Sequence, residues 1–289
     1  MSITMGVGLP AAHGNASGAD IVEWAQKADA GPFSSLLVVD RIVYQNMEPL
    51  MALAAAAAVT SRVRLATGIL LSPLHSAGII AKQSATLHSL SGGRFTLGLG
   101  VGSRSDDFMA TETPMKGRGK VMEDQMDLMF RVWSGDKATD DSGPVGPSLP
   151  KGERPEVLIG ARSDAALARV GKWSDGYVAT PRSPEALAGY LKLVEQSWKD
   201  NNRQGKPRQV AVVFFSLGPN AKEHGQSYVG NYYNYRADIA EQASQGVLSS
   251  PEAIKAAMKA YGNLGMDELV VLPCNPAIDQ LDRLADVVG

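Results

Sequence analysis

Short apolar runs, separated by glycine-rich or polar breaks, recur along the whole chain and predict strands. In most of them apolar residues continue without interruption or alternate with glycine, which is typical of strands buried on both faces of a parallel sheet. The eight predicted strands span residues 4–9, 35–39, 63–71, 95–101, 157–160, 176–179, 209–217 and 268–272.

The segments between these runs have apolar residues at helical spacing. Ser17 precedes one such segment as a helix cap, and the glycines of the SGGR sequence at 91–94 follow the apolar face of another. The Pro-, Gly- and Asp-rich residues 136–153 predict a surface loop. The predicted helices span residues 19–30, 48–59, 77–90, 119–133, 164–170, 184–199 and 278–287.

This alternation of strands and helices predicts an α/β fold. It favours a closed parallel (β/α)8 TIM barrel, although an open doubly wound sheet has the same alternation. The 289 residues are close to the size of such a barrel, about 250 residues. We therefore predict that residues 1–289 form a single domain.

The composition argues against several kinds of partner. With 28 Lys and Arg against 30 Asp and Glu, the net charge is −2, so nucleic acid is not an expected partner. The single cysteine, Cys274, excludes an internal disulfide, and no histidines or cysteines have metal-ligand spacing. The alanine run at 54–58 is too short to cross a bilayer, and no N-terminal signal pattern is present. We expect a cytoplasmic protein without a metal site or a membrane partner.

In a TIM barrel the reacting groups gather at the carboxyl ends of the strands. This rule brings His13, Asp40, Arg41 and His75 to one mouth, beside the glycine-rich exit of the fourth strand at 100–103. The glycines there either let a ligand approach the backbone or let the strand pack in a crowded barrel. The two histidines are candidates for proton transfer, for substrate contact, or for structural roles.

The fifth strand runs through a turn of small residues into a helix, in the sequence IGARSDAALARVG. The unpaired N–H groups at such a helix start suit a phosphate, and Arg162 adds a positive charge. Alternatively, Ser163 is an ordinary helix cap and Arg162 a solvated side chain. The neighbouring acids Asp106 and Asp107 are predicted to cap a helix. Because the chain has no GxSxG sequence and no metal site, its difficult chemistry would come from a bound cofactor.

Two segments carry a family resemblance, AKQSATLHSLSGGRFTLGLGVGSRSDDF and VLIGARSDAALARVGKWSDGYVAT. They resemble the luciferase-like monooxygenase superfamily, whose members are barrels that use FMN or the deazaflavin F420. The resemblance extends from Met5 to about Thr180, and more loosely to the C-terminus. It implies an oxidoreductase that moves a hydride to or from a small organic substrate, or that reduces oxygen for monooxygenation.

The resemblance also implies where the cofactor binds. Members of the F420 branch hold the deazaflavin against a bulge with a non-proline cis peptide at the end of the third strand, which matches Gly68 and Ile69 in the run ATGILLSP. We therefore favour F420 over FMN. The phosphate is expected near residues 100–102 and 161–163. The cofactor-binding candidates are Asp40, Gly68, Ile69, Leu70, Gly100, Val101, Gly102, Ser103, Gly160, Ala161, Arg162 and Ser163.

The chain departs from the family at the reacting end. Several F420-dependent dehydrogenases end the second strand with Asp and a catalytic His, whereas this chain has Asp40 and Arg41. Arginine stays protonated at neutral pH and cannot act as a general base. The family's Arg-His-Pro after the third strand reads His-Ser-Ala at 75–77. The catalytic candidates are His13 and Arg41.

Two segments are candidates for a lid, residues 136–153 and residues 225–246, the second of which contains four tyrosines. These tyrosines either contact the substrate or the polyglutamyl tail of F420, or pack a surface helix against the barrel. The alanine-rich segment 48–59 allows close helix packing, and a homodimer is expected. The alternative functions are a cofactor-free barrel that acts as a binding or partner protein, and an open-sheet hydrolase, for which no nucleophile is found.

Overall fold

Parallel strands close into a ring that is surrounded by helices, in a computed structural model that describes residues 3–289. Strand order around the ring is β1-β2-β3-β5-β6-β7-β8-β9, and β9 pairs with β1. The predicted TIM barrel is thus confirmed. The strands are β1 (Thr4–Gly8), β2 (Ser35–Val38), β3 (Arg64–Thr67), β4 (Leu70–Leu71), β5 (Phe95–Gly100), β6 (Glu156–Gly160), β7 (Gly176–Ala179), β8 (Arg208–Phe215) and β9 (Glu268–Pro273).

The predicted third strand, residues 63–71, is interrupted in the structure. Its first part, β3, pairs with both β2 and β5, and its second part, β4, pairs only with β5. The two parts together occupy one of the eight positions in the ring. The interruption falls at Gly68 and Ile69, where the resemblance implied a bulge.

Helices cover the outside of the ring, and all the predicted ones are present within a few residues. α4, α8, α9 and α10 were not predicted, because α4 is short and α8 and α9 are rich in polar residues. The helices are α1 (Gly18–Ala30), α2 (Pro49–Val59), α3 (Ala77–Leu90), α4 (Ser105–Ala110), α5 (Arg118–Trp133), α6 (Asp164–Trp173), α7 (Pro184–Asp200), α8 (Ala221–Tyr232), α9 (Ala237–Gln245), α10 (Pro251–Asn263) and α11 (Asp279–Val288).

The amino end of the barrel is closed by charged side chains. Arg208 lies between Glu156 and Glu268, and its Nη2 donates to Glu268 Oε2 at 2.5 Å. Ser34 and Ser35 also donate to Glu268, at 2.5 and 2.6 Å. Because this end is filled by paired charges, the opposite end is left for ligands.

The SGGR turn also lies at the amino end. Arg94 donates to the carbonyl oxygens of Val63 and Thr60, at 2.6 and 2.8 Å, and so ties the start of β5 to the segment before β3. This family motif therefore has a structural role far from the carboxyl ends of the strands.

Removal of Glu268 from the closed end leaves the Arg208 guanidinium with Glu156 as its remaining carboxylate partner. We expect Glu268→Ala to lower the free energy of unfolding by about 3 kcal/mol, because Arg208 then loses one of its two carboxylates. The exposed Glu195→Ala serves as the control, with an expected change of less than about 0.5 kcal/mol. Urea denaturation measures the free energy of unfolding of both variants. Equal values for the wild type and Glu268→Ala would contradict a structural role for this network.

Candidate functional site

A cavity of about 360 Å³ opens at the carboxyl ends of the strands. Barrel-interior side chains, among them Val178, Val212 and Phe214, form its apolar floor. Of the predicted site residues, His13, Leu70 and Gly100 do not line it. The structure brings the others together around the cavity: Asp40, Arg41, Gly68, Ile69, Val101, Gly102, Ser103, Gly160, Ala161, Arg162 and Ser163.

The segment between β3 and β4 forms one wall of the cavity. The peptide bond between Gly68 and Ile69 is cis, as the resemblance implied. The Ile69 side chain packs closely over two neighbouring strands: a Cβ added to Gly100 would lie 1.9 Å from Ile69 Cδ1, and one added to Gly160 would lie 2.9 Å from Ile69 Cγ2. Gly100 therefore makes room for Ile69 rather than for a ligand.

Gly102, two residues further along, does face the cavity. Its φ of +73° lies in the region that favours glycine. The Gly102 carbonyl accepts a hydrogen bond from Arg118 Nε at 3.1 Å, and Arg118 lines the cavity as well. The two alternatives for the glycine-rich exit therefore apply to different residues. Gly100 makes room for the packing of Ile69, and the backbone at Gly102 is open to the cavity.

Asp40 is a buried anchor for the segment that follows the bulge. Its Oδ2 accepts the backbone N–H of Leu71 at 2.9 Å and lies 3.0 Å from His75 Nε2. Gln125 donates to the backbone carbonyl of His75 at 2.8 Å and accepts a hydrogen bond from Ser72 at 2.5 Å. Asp40 is therefore held from two sides, and His75 lies behind it, outside the cavity lining.

Asp107 does not cap its own helix, contrary to the prediction. The buried carboxylate turns toward the neighbouring loop, where Oδ1 accepts the backbone N–H groups of Ile42 at 3.1 Å and Val43 at 2.7 Å. Its other oxygen lies 3.9 Å from Arg41 Nε and 4.0 Å from Arg104 Nε. The loop after β2 offers the carboxylate two backbone N–H donors and a cation. These partners bind the carboxylate more favourably than the N–H groups at the start of a six-residue helix would.

Arg41 carries a positive charge into the cavity wall, enclosed by aromatic rings. Its Nη1 donates to the Tyr232 carbonyl at 3.1 Å. Its Cζ lies 4.7 Å from the ring centroid of Tyr44, 5.0 Å from that of Tyr232 and 5.7 Å from that of Tyr235. These contacts stabilise a buried cation and fix its position.

The tyrosines of the predicted lid at 225–246 lie on α8 and in the turn before α9. Tyr232, Tyr233 and Tyr235 line the cavity, and they also pack against the barrel residue Phe214 or against each other. Burial raises the pKa of Tyr233 to about 12, so its phenol stays protonated at neutral pH. The other predicted lid, residues 136–153, contributes nothing to the lining in the described chain.

His13 lies behind this aromatic wall. Its Nε2–H donates to the Pro273 carbonyl at 2.9 Å, and its ring stacks on Tyr228 with centroids 4.4 Å apart. Burial lowers the pKa of His13 below its usual value, and the hydrogen bond to Pro273 opposes this only in part. His13 lines a small neighbouring pocket, and Val39, Phe214, Tyr232 and Leu272 line both this pocket and the cavity.

The start of α6 forms the end of the cavity that suits an anion. Ser163 precedes the helix without a side-chain cap hydrogen bond, and its carbonyl accepts the N–H of Ala166 at 2.9 Å. The N–H groups of Asp164 and Ala165 have no hydrogen-bond partner among residues 3–289. Arg162 lies beside them, with Nε 3.0 Å from Thr180 Oγ1. N–H groups, the helix dipole and a guanidinium together favour a phosphate.

Residues that the sequence reasoning missed complete the lining. Arg118 brings a further cation. Arg104, which belongs to the strand exit that the sequence places at the mouth, lines the cavity as a cation without a predicted role, and Asp107 fixes the loop after β2. The acidic pair that follows GSR and the tyrosine-rich stretch at 228–235 were visible in the sequence, but neither pattern indicated its contacts. Within residues 3–289, no three His, Cys, Asp or Glu side chains are arranged to bind a metal. No helix in that range has the length and apolar character needed to cross a membrane.

Comparison with known sequences places these features in a family context. The chain matches the luciferase-like monooxygenase family over residues 2–271. An uncharacterized protein of Mycobacterium tuberculosis is 34% identical over 178 residues, which cover 58% of this chain and 62% of the relative. The match thus spans less than two thirds of that relative's length.

Two solved structures are similar over nearly the whole chain. A monooxygenase from Streptomyces bottropensis, RslO1, has a TM-score of 0.79 at 20% identity, with 99% of this chain and 98% of that one covered. An F420-dependent secondary alcohol dehydrogenase in complex with an F420-acetone adduct has a TM-score of 0.83 at 16% identity, with the same coverage. At these identities the similarity establishes the fold alone.

The burial of His13 has a consequence for stability. Unfolded His13 takes up a proton near pH 6.5, whereas the folded chain takes it up only at lower pH. Its contribution to stability is therefore complete above that pH and is lost as the pH falls, by at most about 1.4 kcal/mol per pH unit.

We expect His13→Gln to reduce the loss of stability between about pH 7 and about pH 5, because the titrating group is gone. Urea midpoints at several pH values measure this, and His224→Gln, at an exposed position, is the control. The same pH dependence in wild type and His13→Gln would show that the buried ring does not titrate differently in the two states.

Proposed function

The chain belongs to the luciferase-like monooxygenase family, and from this premise we propose that it is an oxidoreductase that binds F420 or, less favourably, FMN. The proposed reaction is hydride transfer between the cofactor and a small organic substrate, or oxygen. The observation that carries the proposal is a single cavity that joins the Ile69 wall, the start of α6 and Arg41.

The residues present fit such a cofactor. A flat ring system requires an apolar floor and a rigid wall, which the barrel interior and the Ile69 segment provide. The phosphate would be held by the N–H groups after Ser163 and by Arg162. The match of Gly68 and Ile69 to the F420 branch is the reason for preferring the deazaflavin.

A reduced flavin or deazaflavin, when bound, supplies a hydride. The residues of this chain would orient the reactants and exclude water. Arg41 offers a fixed positive charge but no base, and Tyr232 and Tyr233 close the cavity from the side of α8. Of the two catalytic candidates, Arg41 is the one that reaches the cavity, and His13 would take part only after Tyr232 moves aside.

We also propose a homodimer that forms through α2 and α3. Met51 on α2 is 58% exposed and Ile79 on α3 is 52% exposed, and the two helices pack side by side. An apolar surface of this kind is typical of an interface between subunits. A monomer in sedimentation equilibrium at high protein concentration would contradict this.

Titration of the purified chain with F420 and with FMN tests the proposed cofactor. We expect F420 to bind with a dissociation constant below about 100 µM, which corresponds to about 5.5 kcal/mol. Arg162→Gln is expected to weaken F420 binding about 10-fold or more, because a charge-assisted contact to the phosphate is lost. The same substitution should leave unchanged the affinity for a deazaflavin that lacks the phosphate.

The exposed Arg131→Gln is the matched control, since Arg131 lies on α5 and its side chain pairs, among residues 3–289, with Asp127 alone. No binding of either cofactor would favour the alternative of a cofactor-free binding protein. Equal effects of Arg162→Gln on both deazaflavins would show that the start of α6 does not hold the phosphate.

A further inference from the structure

We propose that the cavity selects an aromatic substrate with a carboxylate group, and that Arg41 and Arg104 recognise this carboxylate. The proposal rests on the proposed function and names the class of substrate for that site. Three observations support it: the charges of the lining, one buried nitrogen on each guanidinium without a partner in the described chain, and the ring of Tyr235 close to both.

The charge balance of the lining favours an anionic ligand. Both lining carboxylates are already occupied, since Asp40 accepts the Leu71 N–H and Asp107 accepts those of Ile42 and Val43. They hold the backbone and offset the cations only in part. The lining contains four arginines against these two aspartates: Arg41, Arg104, Arg118 and Arg162 against Asp40 and Asp107. With Asp106, which lies outside the lining and pairs with Arg104, the cations still outnumber the carboxylates by one.

Two of these arginines have a buried nitrogen without a hydrogen-bond partner among residues 3–289, namely Arg41 Nε and Arg104 Nη1. Arg118, in contrast, donates to backbone carbonyls, and Arg162 donates to Thr180 at the other end of the cavity. Unpaired buried donors are costly. Both nitrogens are buried from solvent, so a ligand oxygen would satisfy them once the side chains of Arg41 and Arg104 turn toward the cavity.

A carboxylate is the anion that best fits this pair. Arg41 and Arg104 approach the same oxygen of Asp107, at 3.9 and 4.0 Å, so they already flank a carboxylate at a distance slightly too long for a hydrogen bond. Asp106 accepts hydrogen bonds from Nε and Nη2 of Arg104, and Nη1 of Arg104 takes no part in this pair. The planar guanidinium matches a carboxylate in shape as well as in charge.

The aromatic part of the substrate follows from the tyrosines. The Tyr235 ring centroid lies 4.4 Å from Arg104 Cζ and 5.7 Å from Arg41 Cζ, and its hydroxyl lies 3.3 Å from Ser103 Oγ. Tyr233 continues this aromatic wall beside the apolar floor, which the ring of the proposed cofactor would cover. A planar ring packs well on such surfaces, while the floor offers no group that would solvate a charge. The carboxylate is therefore directed to the arginines.

Calorimetric titration of the cofactor-loaded protein with cinnamate and with cinnamamide tests the inference, since the two probes differ in charge and are similar in shape. We expect cinnamate to bind at least about 10-fold more tightly than cinnamamide. Arg41→Gln and Arg104→Gln should each remove this preference, and Arg131→Gln should retain it. Thermal unfolding of each variant verifies that it is folded.

The outcomes separate the inference from the function on which it rests. If the protein binds its cofactor but binds the two probes with equal affinity, the substrate class alone is overturned. The same follows if the cofactor-loaded protein does not bind cinnamate at about 10 mM. A preference for cinnamate that survives in both folded variants overturns the role of the two arginines. Failure of F420 and FMN to bind would contradict the proposed function instead.

Discussion

The mouth of the barrel is organised around the packing of Ile69 on Gly100 and Gly160. The side chain occupies space that a Cβ on either glycine would enter, at 1.9 and 2.9 Å from its atoms. Because interiors are close-packed, no other residue at Gly100 is compatible with this contact. The contact brings the chain between β3 and β4 across the neighbouring strands, where it becomes a wall of the cavity.

Two buried carboxylates hold the loops around this wall. Asp40 binds the segment after Ile69, and Asp107 binds the loop after β2, each through backbone N–H groups. Acidic side chains in a cavity are usually considered first as acids or bases. Here their hydrogen bonds indicate positioning, and the positive charge in the cavity lining is that of the arginines. A fixed cation such as Arg41 stabilises negative charge on a substrate without transferring a proton.

Much of this architecture was predictable because it depends on local periodicity. The strands, seven of the helices (α1 to α3, α5 to α7 and α11) and the end of α3 at SGGR follow from apolar spacing and glycine placement. The remaining features depend on contacts between segments far apart in sequence. Asp107 was expected to cap a helix, but it binds Ile42 and Val43, and no pattern within one segment reveals that choice.

The same limit explains two of the three predicted residues that do not line the cavity, Gly100 and His13. Gly100 belongs to a glycine-rich exit that also suits a ligand, and only the position of Ile69 shows that packing requires it. His13 follows β1 as a catalytic residue would, yet α8 covers it with Tyr228 and Tyr232. The cofactor candidates were carried by a family resemblance, which lies outside what periodicity alone provides.

A crystal structure of the chain with F420 bound tests the central claim most directly. The account predicts that the deazaflavin ring contacts the Ile69 segment, that the phosphate contacts Arg162 and the start of α6, and that Arg41 remains free to meet a substrate. Density for the ring outside this cavity, or a phosphate bound away from α6, would contradict it.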